Sequence, residues 1–112
     1  MYAVVDIETT GGYAANNDIL ELAIVLHDGK EVTRRFCSLV RTDRPIPRFI
    51  TSLTGISREM LDDAPTFPEI APLVAEMLRD KVFVAHHVNF DYSFIKFHLE
   101  AAGYPLELRR LC

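Results

Sequence analysis

The stretch VVDIETTGG, Val4 to Gly12, constrains this chain more than any other. Val4, Val5 and Ile7 have the character of a buried strand, yet Asp6 and Glu8 place two carboxylates inside it, two residues apart. Side chains two apart on a strand share a face. Both acids therefore crowd together beside apolar neighbours, opposed by mutual repulsion and by desolvation. Such a pair is tolerated at a frayed strand end in water, or beside a cation. The glycine-rich loop that follows at once puts the pair at the C-terminal end of its strand, where α/β sheets carry their binding sites.

The rest of the chain supplies the sheet. Residues 2–8 are expected as a central strand, and DILELAIVLHD (18–28) as a second. Asp28-Gly29 is a hairpin signal leading to a third strand, KEVTRRFCSLVR (30–41), so the first three strands form an antiparallel meander. TDRPIPRFI (42–50) is expected as a loop, since Pro45 and Pro47 exclude a helix interior. TSLTGIS carries a short helical turn closed by Gly55, and Ser57 caps a short helix through Asp62. Thr66 caps a longer helix with Pro68 in its first turn and Ile70, Leu73, Val74, Met77 and Leu78 on one face. KVFVAH (81–86) is a fourth strand, and Asn89 caps a helix from Phe90 to Ala102 that ends at Gly103 and Pro105. LELRRLC begins a further strand. The order βββαβα predicts a single α/β domain with helices on the faces of a mixed sheet.

No apolar run reaches the ~18 residues of a membrane span, and Asp6 and Glu8 break any signal-peptide pattern at the N-terminus. The expectation is a cytoplasmic protein with no membrane partner. Cys37 and Cys112 make neither a disulfide framework nor a CxxC zinc pair, and Cys37 reads as a small core residue. The chain carries a net −4, but Lys30 to Arg58 holds seven basic residues against two acidic ones, a local +5 that leaves −9 elsewhere. A basic middle beside an acidic cluster suits a polyanion held next to metal ions. Solvated edge-strand arginines give the same balance, and on charge alone that plainer account is preferred.

A third acid joins the first two. Asp91 follows the fourth strand through a short connection and sits in the first turn of the next helix, where the dipole favours negative charge. If the fourth strand lies beside the first, Asp91 comes near Asp6 and Glu8. Three clustered carboxylates make a hard oxygen site suited to Mg²⁺ or Mn²⁺. Two such ions about 3.5–4 Å apart serve phosphodiester cleavage, and their charge offsets the repulsion within the acid pair.

VVDIETTGG, LTGIS and VAHHVNFDYSFI together resemble the first two signature regions of the DnaQ-like (DEDD) 3′→5′ exonucleases, whose members include the epsilon subunits of bacterial DNA polymerase III. The resemblance runs from Tyr2 to about Leu111. It implies a ribonuclease H-like fold with strand order 3-2-1-4-5, and two-metal hydrolysis of DNA from a single-stranded or frayed 3′ end. In the epsilon type it also implies a polymerase catalytic subunit as partner. By the same resemblance, Asp6, Glu8 and Asp91 are the catalytic metal ligands. Ile7, Thr9 and Thr10 flank the terminal nucleotide, Leu53 is an apolar wedge against its base, Phe90 packs under the sugar, and His86 and Asn89 line the cleft. Phe94 reads as core. His87 stands where the family usually has asparagine and reads as a substitution; His27 and His98 read as surface residues.

The family's third motif, a histidine base five residues before a fourth aspartate, has no match. After Asp91 the acids are Glu100 and Glu107, the only histidine is His98, and Gly103 stands five residues beyond it. Residues 1–112 are thus expected as the N-terminal part of an exonuclease domain. Lack of a positioned base removes a contribution of roughly 10²–10⁴ in rate. Two alternatives stay open on sequence: an RNA-trimming exonuclease of the same fold, and a non-catalytic module that binds nucleic acid or a polymerase.

Overall fold

The computed structural model describes every residue from Met1 to Cys112. Strands β1 (Tyr2–Thr9), β2 (Ile19–His27) and β3 (Val32–Leu39) form the expected antiparallel meander. On the other side of β1 lie β4 (Val82–Val84), parallel to β1, and β5 (Arg110–Leu111), parallel to β4. The sheet order is β3-β2-β1-β4-β5, the order that the motifs imply. Four helices complete the α/β fold: α1 (Arg48–Thr54), α2 (Arg58–Leu61), α3 (Phe67–Leu78) and α4 (Val88–Ala101).

The period-2 alternation of β1 decides which face is covered. Ala3, Val5 and Ile7 are buried and share one core with Leu22, Ile24 and Leu26 of β2, with Ile70, Val74 and Met77 of α3, and with Tyr92, Ile95 and Leu99 of α4. Both long helices therefore lie on this face. The opposite face carries Tyr2, Val4, Asp6 and Glu8, and Val4 at the middle of the sheet is 43% exposed. Only its end is covered, by a second small cluster in which Leu20 meets Ile50 of α1, Ile56 and Leu61 of α2. A register shift beside Thr9 and Ile19 gives β2 the freedom to send Ile19 to the main core and Leu20 to the second cluster.

α3 starts as its sequence predicts. The Glu69 carboxylate accepts from the Thr66 backbone N–H and hydroxyl, both at 2.9 Å, and Pro68 sits in the first turn. α1 ends at Gly55, whose φ of 78° closes the helix in a left-handed conformation.

Four local expectations are corrected. Residues 48–50 are helical rather than loop, because Pro47 stands at the start of α1, where its fixed φ and missing N–H suit a helix entry. Asn89 is not a cap: α4 begins at Val88, with His87 before it in a left-handed conformation (φ 51°) that turns the short β4–α4 connection. Cys37 is exposed, because its pairing with Ala23 puts it on the uncovered face. His98 is half-buried, stacked among Phe67, Phe94 and Phe97, with Nε2 3.0 Å from the Asn17 carbonyl oxygen. Burial holds its pKa below the ordinary histidine range.

Candidate active site

The C-terminal end of β1 is fixed by the loop that follows it. The Thr10 N–H donates to the Asp18 carbonyl at 2.9 Å, and the Thr10 hydroxyl donates to Asn17 Oδ1 at 2.9 Å while accepting from the Asp18 N–H at 3.1 Å. The Thr9 hydroxyl donates to the Gly11 carbonyl at 2.8 Å. Gly11 is needed here: a Cβ would stand 2.5 Å from Asn17 Oδ1, which is itself held by Thr10. These bonds stop β1 just past Glu8 and keep its acids at the rim.

The facing wall is α1. Ile50 anchors it in the second cluster, while Phe49 and Leu53, one turn apart, are 66% and 78% exposed. The segment leading into α1 is tied down by Arg58, whose guanidinium donates to the carbonyls of Thr42 and Arg44. The Asp18 carboxylate accepts from the Thr42 hydroxyl and, at 3.2 Å, from Arg44 Nε. Asp18 and Arg58 thus serve the scaffold.

Between the walls runs a cleft lined by Ile7, Glu8, Thr9, Phe49, Leu53 and Phe90, with Gly11 and Gly12 at its lip. Of the residues expected in the site, the structure brings together Ile7, Glu8, Thr9, Leu53 and Phe90. Thr10 is withdrawn: it is buried and its hydroxyl is committed to the loop. His86 lies in the turn two residues past Val84, the end of β4. It is exposed, its ring 4.2 Å from that of His87. Asn89 is exposed in the first turn of α4, where its Oδ1 accepts from Arg110 at 3.3 Å.

The three carboxylates are coupled. Asp91 is 7% exposed. Burial and the Asp6 charge push its pKa up to about 6, against the opposing pull of the Ile7 backbone N–H. Glu8 is also raised, by burial, by Asp6 and by Glu21. The donor set, all carboxylate, fits hard divalent cations. The expected cluster is not preformed: no three His, Cys, Asp or Glu side chains stand together as a metal site, so the structure brings Asp91 close enough to Asp6 and Glu8 to feel their charge but does not gather the three about one point.

Two residues of this region are not signalled by the motifs. Phe49 is hidden by the flanking prolines, although its i, i+4 spacing to Leu53 marks a shared helical face. Glu21 stands directly opposite Glu8 across the β1–β2 ladder, a pairing that needs the strand register to be seen.

A mixed sheet of order 3-2-1-4-5 with helices packed on it defines a ribonuclease H-like α/β fold. The sequence matches the Exonuclease family (RNase_T) over residues 3–108, and the chain belongs to that family. It is 45% identical over 95 residues to the 3′–5′ exonuclease DinG of Staphylococcus haemolyticus, covering 85% of this chain and 11% of that protein. It is 37% identical over 106 residues to the 3′–5′ exonuclease DinG of Bacillus subtilis, covering 94% of this chain and 11% of that protein. The chain thus spans only that 11% of the length of these relatives. Among solved structures, exonuclease X in complex with 5′-overhanging duplex DNA superposes with a TM-score of 0.73 at 24% identity, covering 100% of this chain and 59% of the other. E. coli exonuclease I in complex with a dT13 oligonucleotide gives a TM-score of 0.80 at 14% identity, covering 97% and 27%. These likenesses establish the fold.

Proposed function

We propose that this chain is a metal-dependent 3′→5′ exonuclease domain that hydrolyses DNA phosphodiester bonds from the 3′ end. The observations that carry the reading are the place of Glu8 in the wall of the apolar cleft and the burial of Asp91 close enough to Asp6 and Glu8 to feel their charge. Asp6 and Glu8 project from the uncovered face of β1, Asp91 approaches from α4, and together they would hold Mg²⁺ or Mn²⁺. When bound, two such cations supply water activation and stabilisation of the charge that develops on the phosphate. The residues of the chain do the positioning. Leu53 and Phe90 offer apolar surface to the terminal base and sugar, and the Ile7 and Thr9 segment presents backbone groups beside them. Clustered acids that repel one another in the free chain favour the phosphate-bound, cation-loaded state, which makes affinity for metal and substrate interdependent.

His98 is not the water-activating base: its ring is packed among phenylalanines and occupied by Asn17. The solved neighbours that carry DNA support a DNA substrate. Proofreading beside a polymerase catalytic subunit, as in the epsilon type, rests on the motif resemblance alone.

The test is cleavage of a 5′-labelled single-stranded DNA oligomer with Mg²⁺, Mn²⁺ or EDTA, beside an Asp6→Ala control and a matched RNA oligomer. The expected result is a metal-dependent ladder shortening from the 3′ end of DNA, absent in the control. Folded protein that binds the oligomer without cutting it would replace this reading by a binding module, and faster trimming of RNA would replace the substrate.

A further inference from the structure

Several cations of this chain are already committed to carboxylates or carbonyls. Arg34 faces Glu76, Arg41 faces Glu69, Arg44 faces Asp18, and Lys96 faces Glu100 and Glu107. Arg58 directs its guanidinium to two backbone carbonyls. Arg110 differs. Its guanidinium carbon lies 4.5 Å from the centroid of the Tyr92 ring, and Nη1 donates to Asn89 Oδ1 at 3.3 Å. It is exposed, and no carboxylate pairs with it.

This arrangement is immobile for a physical reason. Tyr92 is 4% exposed, its ring is edge-on to Phe83 at 5.1 Å, and its hydroxyl accepts from the Leu108 N–H at 2.9 Å. The Tyr92 ring is thus held in place beneath the guanidinium. Arg110 also sits on β5, whose pairing with β4 through Phe83 fixes its backbone. An arginine held flat by an aromatic face and one hydrogen bond keeps most of its five donors free in a fixed fork, the geometry that suits a phosphate. An internal counter-ion is the obvious alternative role, and no carboxylate pairs with Arg110 to fill it.

Arg110 also stands within reach of a strand bound at the carboxylates. β5 is two strands from β1 across β4, roughly 10 Å sideways at the usual strand spacing, and Arg110 is level with Ala3 through Phe83, three residues short of Asp6 and so roughly another 10 Å along the strand. Asn89, its tether, is two residues before Asp91 on α4. A strand whose end lies at the carboxylates and whose path crosses the first turn of α4 passes over this guanidinium.

We propose that Arg110 is a phosphate-positioning residue. Laid over Tyr92 and tied to Asn89, it grips one backbone phosphate of the nucleic-acid strand, away from the bond that is cut. The inference rests on the proposed function and adds a specific contact to it. Because the contact is to the backbone, it is indifferent to sequence.

The experiment uses fluorescence anisotropy in EDTA with a labelled single-stranded DNA oligomer and with versions carrying one neutral methylphosphonate linkage at successive positions. Wild type, Arg110→Gln and Arg110→Lys are compared, with thermal melts confirming that each folds. The wild-type chain should show one linkage, internal to the 3′ end, whose neutralisation weakens binding about tenfold, the range of a charge-assisted hydrogen bond. Arg110→Gln should bind the all-phosphate oligomer equally weakly, ignore that linkage, and lose close to one unit of salt slope. Arg110→Lys should recover part of the affinity, since it keeps the charge and loses the fork. If Arg110→Gln binds as wild type does, with the same linkage profile, the proposal is overturned while the nuclease reading stands. If the wild-type chain binds no oligomer at any salt concentration, in EDTA or with Mg²⁺, both fall.

Discussion

Glu8 of β1 and Glu21 of β2 face each other directly across the antiparallel ladder, so that one of the candidate metal ligands has a like charge as its nearest cross-strand neighbour. Directly opposed like charges weaken a sheet, and here they also help to raise the pKa of Glu8. Replacing Glu21 with Gln removes the repulsion and keeps the size. The expected outcome is a gain in stability of about 0.3–1 kcal/mol at low salt, shrinking as salt screens the pair, together with a lower titration point for Glu8. Thermal melts at two salt concentrations and a carboxyl-carbon NMR titration read both effects. A melt unmoved by the substitution at low salt would mean that the two carboxylates turn away from each other in solution.

Asp91 sets the pH response of the metal-free fold. Its pKa in the folded chain, about 6, is above the ordinary 3.8. A carboxyl whose folded pKa is raised contributes its full stability below the unfolded value, and that contribution is lost as pH rises through the folded value. The Asp91 contribution therefore fades between about pH 4 and pH 6.5. Asp91→Asn mimics the protonated form, and at pH 7 it should stabilise the metal-free chain by roughly 1–2 kcal/mol, discounted for solvent reaching the carboxylate. The same substitution should abolish metal-dependent cleavage. Urea denaturation of both proteins at pH 4 and pH 7 is the measurement: the advantage of the Asp91→Asn chain should be present at pH 7 and vanish at pH 4.

The penalty at Asp91 is one that a cation can offset. Mg²⁺ or Mn²⁺ should raise the melting temperature at pH 7.5, by the equivalent of about 2.7 kcal/mol when the free ion exceeds its dissociation constant a hundredfold. EDTA should reverse the shift. Near pH 4.5, where Asp91 is protonated in the folded chain, the shift should largely disappear, because the proton and the cation compete for the same oxygens. Asp6→Asn should lose it at both pH values. An equal shift in Asp6→Asn would place the ion elsewhere on the molecule.

Much of this is legible in the chain itself, and what is not has a common cause. The facing of Asp6 and Glu8 follows from the two-residue period of a strand, and the start of α3 follows from Thr66 and Glu69. The end of α1 follows from Gly55. Each of these is decided within a few residues. The environments of Cys37 and His98 escape a local reading because exposure depends on which sheet face the helices cover, and both long helices cover the same one. The start of α4 escapes it because nothing local announces a histidine in the left-handed region. Thr10 has the spacing of a cleft residue, and only the folded loop shows its hydroxyl committed to Asn17 and Asp18. Glu21 pairs with Glu8 only through the register between β1 and β2, which no short stretch of either strand encodes.

Phe49 offers the sharpest separation of function from fold. Its ring is 66% exposed on a helix anchored by the neighbouring Ile50, and it lines the cleft together with Phe90 and Leu53. An exposed phenylalanine contributes little to stability, so Phe49→Ala should leave the melting temperature nearly unchanged. Stacking of a base on an aromatic ring is worth about 1–3 kcal/mol, and truncation should weaken oligonucleotide binding by that amount. Because stacking holds the strand in ground and transition states alike, KM should rise while kcat changes little. Ile50→Ala is the informative contrast, since it should lower the melting temperature by removing the anchor of α1. If Phe49→Ala cuts the strand with an unchanged KM, Phe49 carries no base, and Leu53 is the only contact left to the α1 wall among these residues.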